Sequence, residues 1–105
     1  MIAIPKKLGP VHPGEILREE FIVPYCLSMN RMAMDLRVPV TWIADIVNER
    51  RGITVDTALR FARYFKNTAS FWMNLQTRYE LEVAEDEIAA AVERDVQPLG
   101  IRAER

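Results

Sequence analysis

A chain of 105 residues, half of them hydrophobic and 28% charged, is long enough to bury one core without disulfides or metal and too apolar to be disordered. Its formal charge of −1 excludes a global attraction to polyanions, and its single cysteine excludes an intrachain bridge or a thiolate zinc cluster. No apolar run approaches membrane-spanning length and Met1 to Lys7 lacks the apolar core of a signal peptide, so a cytoplasmic protein without membrane contact is expected. Cys26, between apolar Tyr25 and Leu27, reads as a buried structural thiol.

Helix signals succeed one another and no strand alternation stands out beyond the first few residues, which makes the expected class all-α. Helix one should begin at Pro13, where a missing N–H costs nothing, carry Ile16, Leu17 and Phe21 inward and stop before Pro24. Ser28 is an N-cap for helix two, whose stripe is Met32, Ala33 and Leu36. Val38-Pro39 then writes a tight turn, because proline fixes its own φ and bars helical geometry in the residue before it. The short helix it launches has two faces: Ile43, Ile46 and Val47 on one side, Thr41, Asp45 and Asn48 on the other, with Trp42 and Ala44 flanking. A turn, a two-faced helix and a closing basic loop read as the recognition half of a helix-turn-helix.

Thr54 caps helix four, with Asp56 in its first turn and Val55, Ala58, Leu59, Ala62 and Phe65 as the inward ladder. Thr68 or Ser70 caps helix five, where Phe71, Trp72, Leu75 and Tyr79 read as a core or dimer interface, the interface being preferred. From Glu85 to Val96 a short, thin extra helix is expected, with Ile88, Val92 and Val96 on one line. It would pack on helix five, on a second copy of the chain, or loosely, ahead of a frayed tail from Pro98.

Charge is unevenly distributed. Arg31 to Arg63 carries +2, and Glu80 to Asp95 carries −6. The polarity suggests two surfaces with two kinds of partner, or simply one solvated acidic face. No catalytic constellation emerges: His12, the only imidazole, precedes a helix start and reads as a local cap, and neither a Gly-rich phosphate loop nor a zinc pair is present. No enzyme activity, cofactor or metal is expected.

Three segments together carry a family resemblance: His12-Pro13-Gly14-Glu15-Ile16-Leu17, then Arg51-Gly52-Ile53-Thr54 with Thr57-Ala58-Leu59-Arg60, then Phe71-Trp72-Met73-Asn74-Leu75-Gln76. In that order and spacing they resemble the HigA-type antitoxins of the lambda-repressor-like (XRE) helix-turn-helix family, over about Val11 to Glu82. The resemblance implies a helix-turn-helix domain of about five helices with the short C-terminal helix added. The implied division is an N-terminal arm at 1–10, a DNA-binding domain at 11–82 and an acidic helix and tail at 83–105. It also implies an antitoxin that silences a RelE/HigB-like mRNA endonuclease toxin and, as a homodimer on operator DNA, represses its own operon. By position, Val40, Thr41, Trp42 and Asp45 correspond to sites that face the major groove, and Asn48, Arg50 and Arg51 to sites that meet phosphates.

Two residues depart from the family pattern: Trp42 stands where arginine is common, and Glu49 where glycine usually ends the recognition helix. Partial burial is the expectation for Trp42. Glu49 removes an easy left-handed cap and sets a negative charge beside DNA. Arg50 and Arg51 have a competing reading, as a basic loop paired with Glu49 or Asp45. A stand-alone repressor without a toxin, and a protein-binding module whose helix-turn-helix has lost DNA, therefore stay open. For holding a toxin, two devices are available: the arm Met1 to Leu8 added to a sheet edge, or the acidic segment covering basic toxin residues.

Overall fold

Proline at the first helical position and a side-chain acceptor just before it start the fold, as His12 Nδ1 accepts from the Gly14 N–H at 2.9 Å. The computed structural model describes residues 9–100. Within them α1 spans Pro13–Ile16 and runs directly into a π-helical segment, Leu17–Ile22. The remaining helices are α2 Met29–Leu36, α3 Val40–Val47, α4 Val55–Phe65 and α5 Ala69–Asp95. The fold is all-α, with no strand among the described residues. The arm Met1 to Leu8 and the last five tail residues lie outside the described residues.

Helices α2, α4 and α5 each start on a hydroxyl cap of the expected type, while α3 starts from Pro39 without a side-chain cap. Ser28 accepts from the Arg31 N–H, Thr54 from Thr57 and Thr68 from Phe71, each side chain satisfying an otherwise orphaned donor. Left-handed residues close α2 and α4, Arg37 at φ 62° and Lys66 at φ 60°.

The core gathers Ile16, Leu17 and Phe21 from the first helix, Met32, Ala33 and Leu36 from α2, and Ile43 and Ile46 from α3, with Ile53, Ala58, Phe61 and Trp72. Trp72 is its hub. It is fully buried, its ring centroid lies 5.0 Å from Phe61 and 5.1 Å from Phe21, and its indole N–H donates to Asn67 Oδ1 at 2.9 Å. Of the aromatic stripe of α5, Trp72 belongs to the core, between Phe21 and Phe61, with Phe71 and Leu75 half-buried against it and Tyr79 half-buried further along the helix.

Three further expectations are corrected. The inward ladder of α4 is Thr57, Ala58 and Phe61, and Val55 and Leu59 point out, Leu59 with 58% of its surface exposed. Phe61, fully buried against Trp72, fixes the helix's rotation, which leaves residues 55 and 59 at the rim. Cys26 is exposed, because the chain turns at φ 51° there, between the π-helical segment and the Ser28 cap. The helical stretch from Glu85 is the outer half of α5, since nothing between Tyr79 and Glu85 breaks the helix. That half projects from the body and makes the molecule 62 Å long and 27 Å across. No helix among the described residues is long and apolar enough to cross a membrane.

Candidate nucleic-acid interface

Helix α3 is placed by two contacts that the first helix makes with its carbonyl end. A Cβ on Gly14 would lie 1.8 Å from the Ile46 carbonyl oxygen, so the two backbones meet at a distance that no side chain permits. Arg18 Nη1 donates to the Val47 carbonyl at 3.3 Å, a cation at the negative end of the helix. On the other side α2 is fixed by α4. Arg60 Nη1 caps the Leu36 carbonyl at 2.8 Å while its Nε pairs with Asp56 at 3.0 Å. The turn between α2 and α3 closes on itself, with the Val38 N–H returning to the Ala33 carbonyl at 3.1 Å across left-handed Arg37.

With Ile43 and Ile46 in the core, the opposite face of α3 turns outward. Thr41 and Asn48 are exposed, and neither their hydroxyl nor their amide is hydrogen-bonded among the described residues, so both keep full capacity for a ligand. Val40 stands partly exposed at the helix start, and Asp45 is half-buried on the same outward face as Thr41 and Asn48. Trp42 is half-buried, as expected, and has the Arg51 guanidinium 4.9 Å above its ring centroid. Arg50 Nη2 pairs with Asp45 Oδ1 at 3.0 Å. The structure therefore brings all seven expected residues together on α3 and the loop behind it, and it realises the competing pairing for Arg50 with Asp45, not Glu49.

Glu49 takes the left-handed conformation that glycine would adopt without strain, φ 62°. Its carboxylate is unpaired among the described residues. The chain then turns, with the Arg50 N–H returning to the Asp45 carbonyl at 2.7 Å, and Arg50 and Arg51 are exposed side by side. Arg51 has the freer charge, since its partner is a ring face and not a carboxylate.

Sequence reasoning missed the residues that hold this surface: Arg18, Arg60 and Gln76. The first two act across 29 and 24 residues of chain, a range at which no local pattern speaks. Gln76 had a partial signal, because Glu80 follows it at i+4, where a carboxylate can accept from its amide. Behind the site, Tyr64 donates to Asp35 Oδ2 at 2.5 Å, and Asp35 also takes Arg31 at 3.0 Å. The Tyr64 hydroxyl, with Arg31, holds the Asp35 carboxyl below its usual range, and burial together with Asp35 raises the phenol of Tyr64.

A tight left-handed turn, a recognition helix with an uncommitted polar face and a basic loop define a lambda-repressor-like helix-turn-helix domain. No protein-family model matches the sequence. Over 81 residues the chain is 52% identical to virulence-associated protein I of Dichelobacter nodosus, spanning 77% of this chain and 75% of that one. The Pseudomonas aeruginosa antitoxin HigA, solved with the higBA promoter, matches with a TM-score of 0.84 and 44% identity, covering 87% of this chain and 99% of that one. The antitoxin GraA in complex with its operator gives 0.84 at 37% identity, over 93% and 99% of the two chains. The chain belongs to the HigA-type antitoxins of the helix-turn-helix family, and is a regulator by class, not an enzyme.

Proposed function

We propose that this chain reads operator DNA ahead of its own gene and neutralises a RelE/HigB-like mRNA endonuclease, so that one protein both silences the toxin and represses the operon. The observation that carries the DNA half is the outward face of α3, where Thr41 and Asn48 stand uncommitted beside exposed Arg50 and Arg51, in a chain 44% identical to an antitoxin solved with its promoter. In this reading Thr41, whose hydroxyl donates or accepts and whose methyl suits the thymine methyl, enters the major groove with Val40, Trp42 and Asp45. Asn48, Arg50 and Arg51 meet phosphate and set the register.

A homodimer follows from the same reading, since a single short helix reads few bases and paired recognition helices read an inverted repeat. The projecting half of α5 supports it. Leu81, Ile88 and Val92 stand exposed there along one line of the helix, a stripe too apolar to be left to water without a partner. Residues 11–82 are then the DNA-binding unit and 83–105 the acidic partner-binding one, in a cytoplasmic protein. The toxin half rests on family membership and on the −6 charge between Glu80 and Asp95, which complements an RNA-gripping basic surface.

Co-expression with the small basic protein encoded beside it tests the toxin half. Neutralisation predicts a stable co-purifying complex and loss of ribosome-dependent mRNA cleavage. Cleavage undiminished by excess of this chain would leave a repressor without a toxin.

A further inference from the structure

Gln76 of α5 is a buried amide with both ends committed. Its Oε1 accepts from the Ile53 N–H at 2.7 Å, and its Nε2 donates to Glu80 Oε2 at 2.8 Å. Its orientation is forced by chemistry, because a backbone N–H can only donate and a carboxylate only accept. The loop side is shaped to receive it: a Cβ on Gly52 would lie 2.8 Å from both amide heteroatoms, so the missing side chain is what lets the amide lie flat on the chain. The anchored segment, Gly52-Ile53, directly follows Arg50-Arg51.

Resting on the DNA reading above, we propose that Gln76 is a positioning residue for DNA recognition: it pins the end of the basic loop to α5, and Glu80 locks its amide, so that Arg50 and Arg51 are presented to phosphate in one register. Without the pin the loop behind α3 keeps the Arg50 N–H to Asp45 carbonyl bond and the stack of Arg51 on Trp42 at its near end, and the packed Ile53 side chain and the Thr54 cap at its far end. The two near-end contacts are local and solvent-facing and side-chain packing is non-directional, whereas the Ile53 N–H bond is directional, buried and spans 23 residues of chain.

The test combines amide hydrogen exchange at Ile53 with fluorescence anisotropy on the duplex from upstream of the gene, over a salt series. In Gln76→Met, of similar shape but without donor or acceptor, Ile53 should exchange at least tenfold faster. The slope of log affinity against log salt should become shallower by about one to two units, since each phosphate contact contributes about 0.9. Gln76→Glu keeps an acceptor for the Ile53 N–H but sets two carboxylates against each other at the lock, and should give a partial form of both effects, which adding Glu80→Gln, an amide donor returned to the pair, should reverse. Gly52→Ala keeps the Gln76 chemistry but crowds it, and gives a milder form of the effect without emptying the core. An unaltered salt slope in Gln76→Met, with Ile53 deprotected, would overturn the positioning role and leave Gln76 as a structural group. Protection of Ile53 that survives the substitution would overturn the anchor itself. Failure of the underlying DNA reading is seen separately, in a wild-type chain that does not prefer its own duplex, and it overturns the role in recognition whatever the exchange data show.

Discussion

Replacing Glu49 with glycine separates two costs that this chain carries at the end of its recognition helix. Glu49 sits at φ 62° with its carboxylate unpaired among the described residues, so the change removes no native contact. A residue with a Cβ in the left-handed region costs about 1–2 kcal/mol, and glycine returns about 0.5–1 kcal/mol of that through the entropy of the unfolded chain. Glu49→Gly should therefore stabilise the fold by about 0.5–1 kcal/mol, a rise of about 4 °C in Tm for a domain of this size. The second cost is electrostatic. An exposed unit charge within a Debye length of phosphate is worth about 0.5 kcal/mol in water, so operator binding should tighten about twofold at low salt, the gain fading as salt rises. Glu49→Ala provides the control, since it deletes the charge and keeps the strained backbone. Thermal denaturation by circular dichroism and anisotropy on operator DNA read the two terms. Equal Tm values for the glycine and alanine variants would refute the argument from backbone strain, and unchanged affinity in both would refute the electrostatic one.

Gly14→Ala sets a methyl group against the Ile46 carbonyl and should cost about 3 kcal/mol or more, measurable by urea denaturation; a near-neutral change would mean that α1 and α3 can separate freely. Cys26, being exposed, should react stoichiometrically with a disulfide reagent in the native state, and protection until denaturant is added would restore the buried reading. In Tyr64→Phe the Asp35 carboxyl, followed by NMR, should titrate at a higher pH than in the wild type, because the phenol that depresses it is gone. Since the folded chain holds that proton more weakly than the unfolded one, Asp35's contribution to stability is complete above the ordinary carboxylate range near pH 4. It fades as the pH falls through the lower folded midpoint, and an unmoved midpoint in the variant would dismiss the Tyr64 bond.

The parts of the fold legible in the sequence were those written locally. Caps at Ser28, Thr54 and Thr68, the Val38-Pro39 turn and the two faces of α3 depend on residues within a turn of one another, and each stands where its chemistry put it. Rotation about a helix axis is not local. On α4 both Ala58-Phe61 and Val55-Leu59 satisfy a helical stripe, and only the neighbouring Trp72 and Phe21 decide which goes inward. Cys26 was misplaced for a related reason, because apolar neighbours suggest burial while a left-handed turn carries the thiol outward. At the candidate site the seven residues came from position in the family pattern. Their partnerships, Arg50 with Asp45 and Arg51 on Trp42, needed the loop's path in space. The anchors Arg18, Arg60 and Gln76 belong to distant segments and left at most a faint trace in the chain.

The claim that this surface reads DNA is tested most directly by fluorescence anisotropy on the duplex from upstream of the gene and on a scrambled one, with wild type and Arg50→Ala/Arg51→Ala compared across salt. Binding should prefer the native duplex, and the salt slope should be about two units shallower in the variant. Equal binding to both duplexes, with a slope that the two substitutions leave unchanged, would contradict that claim.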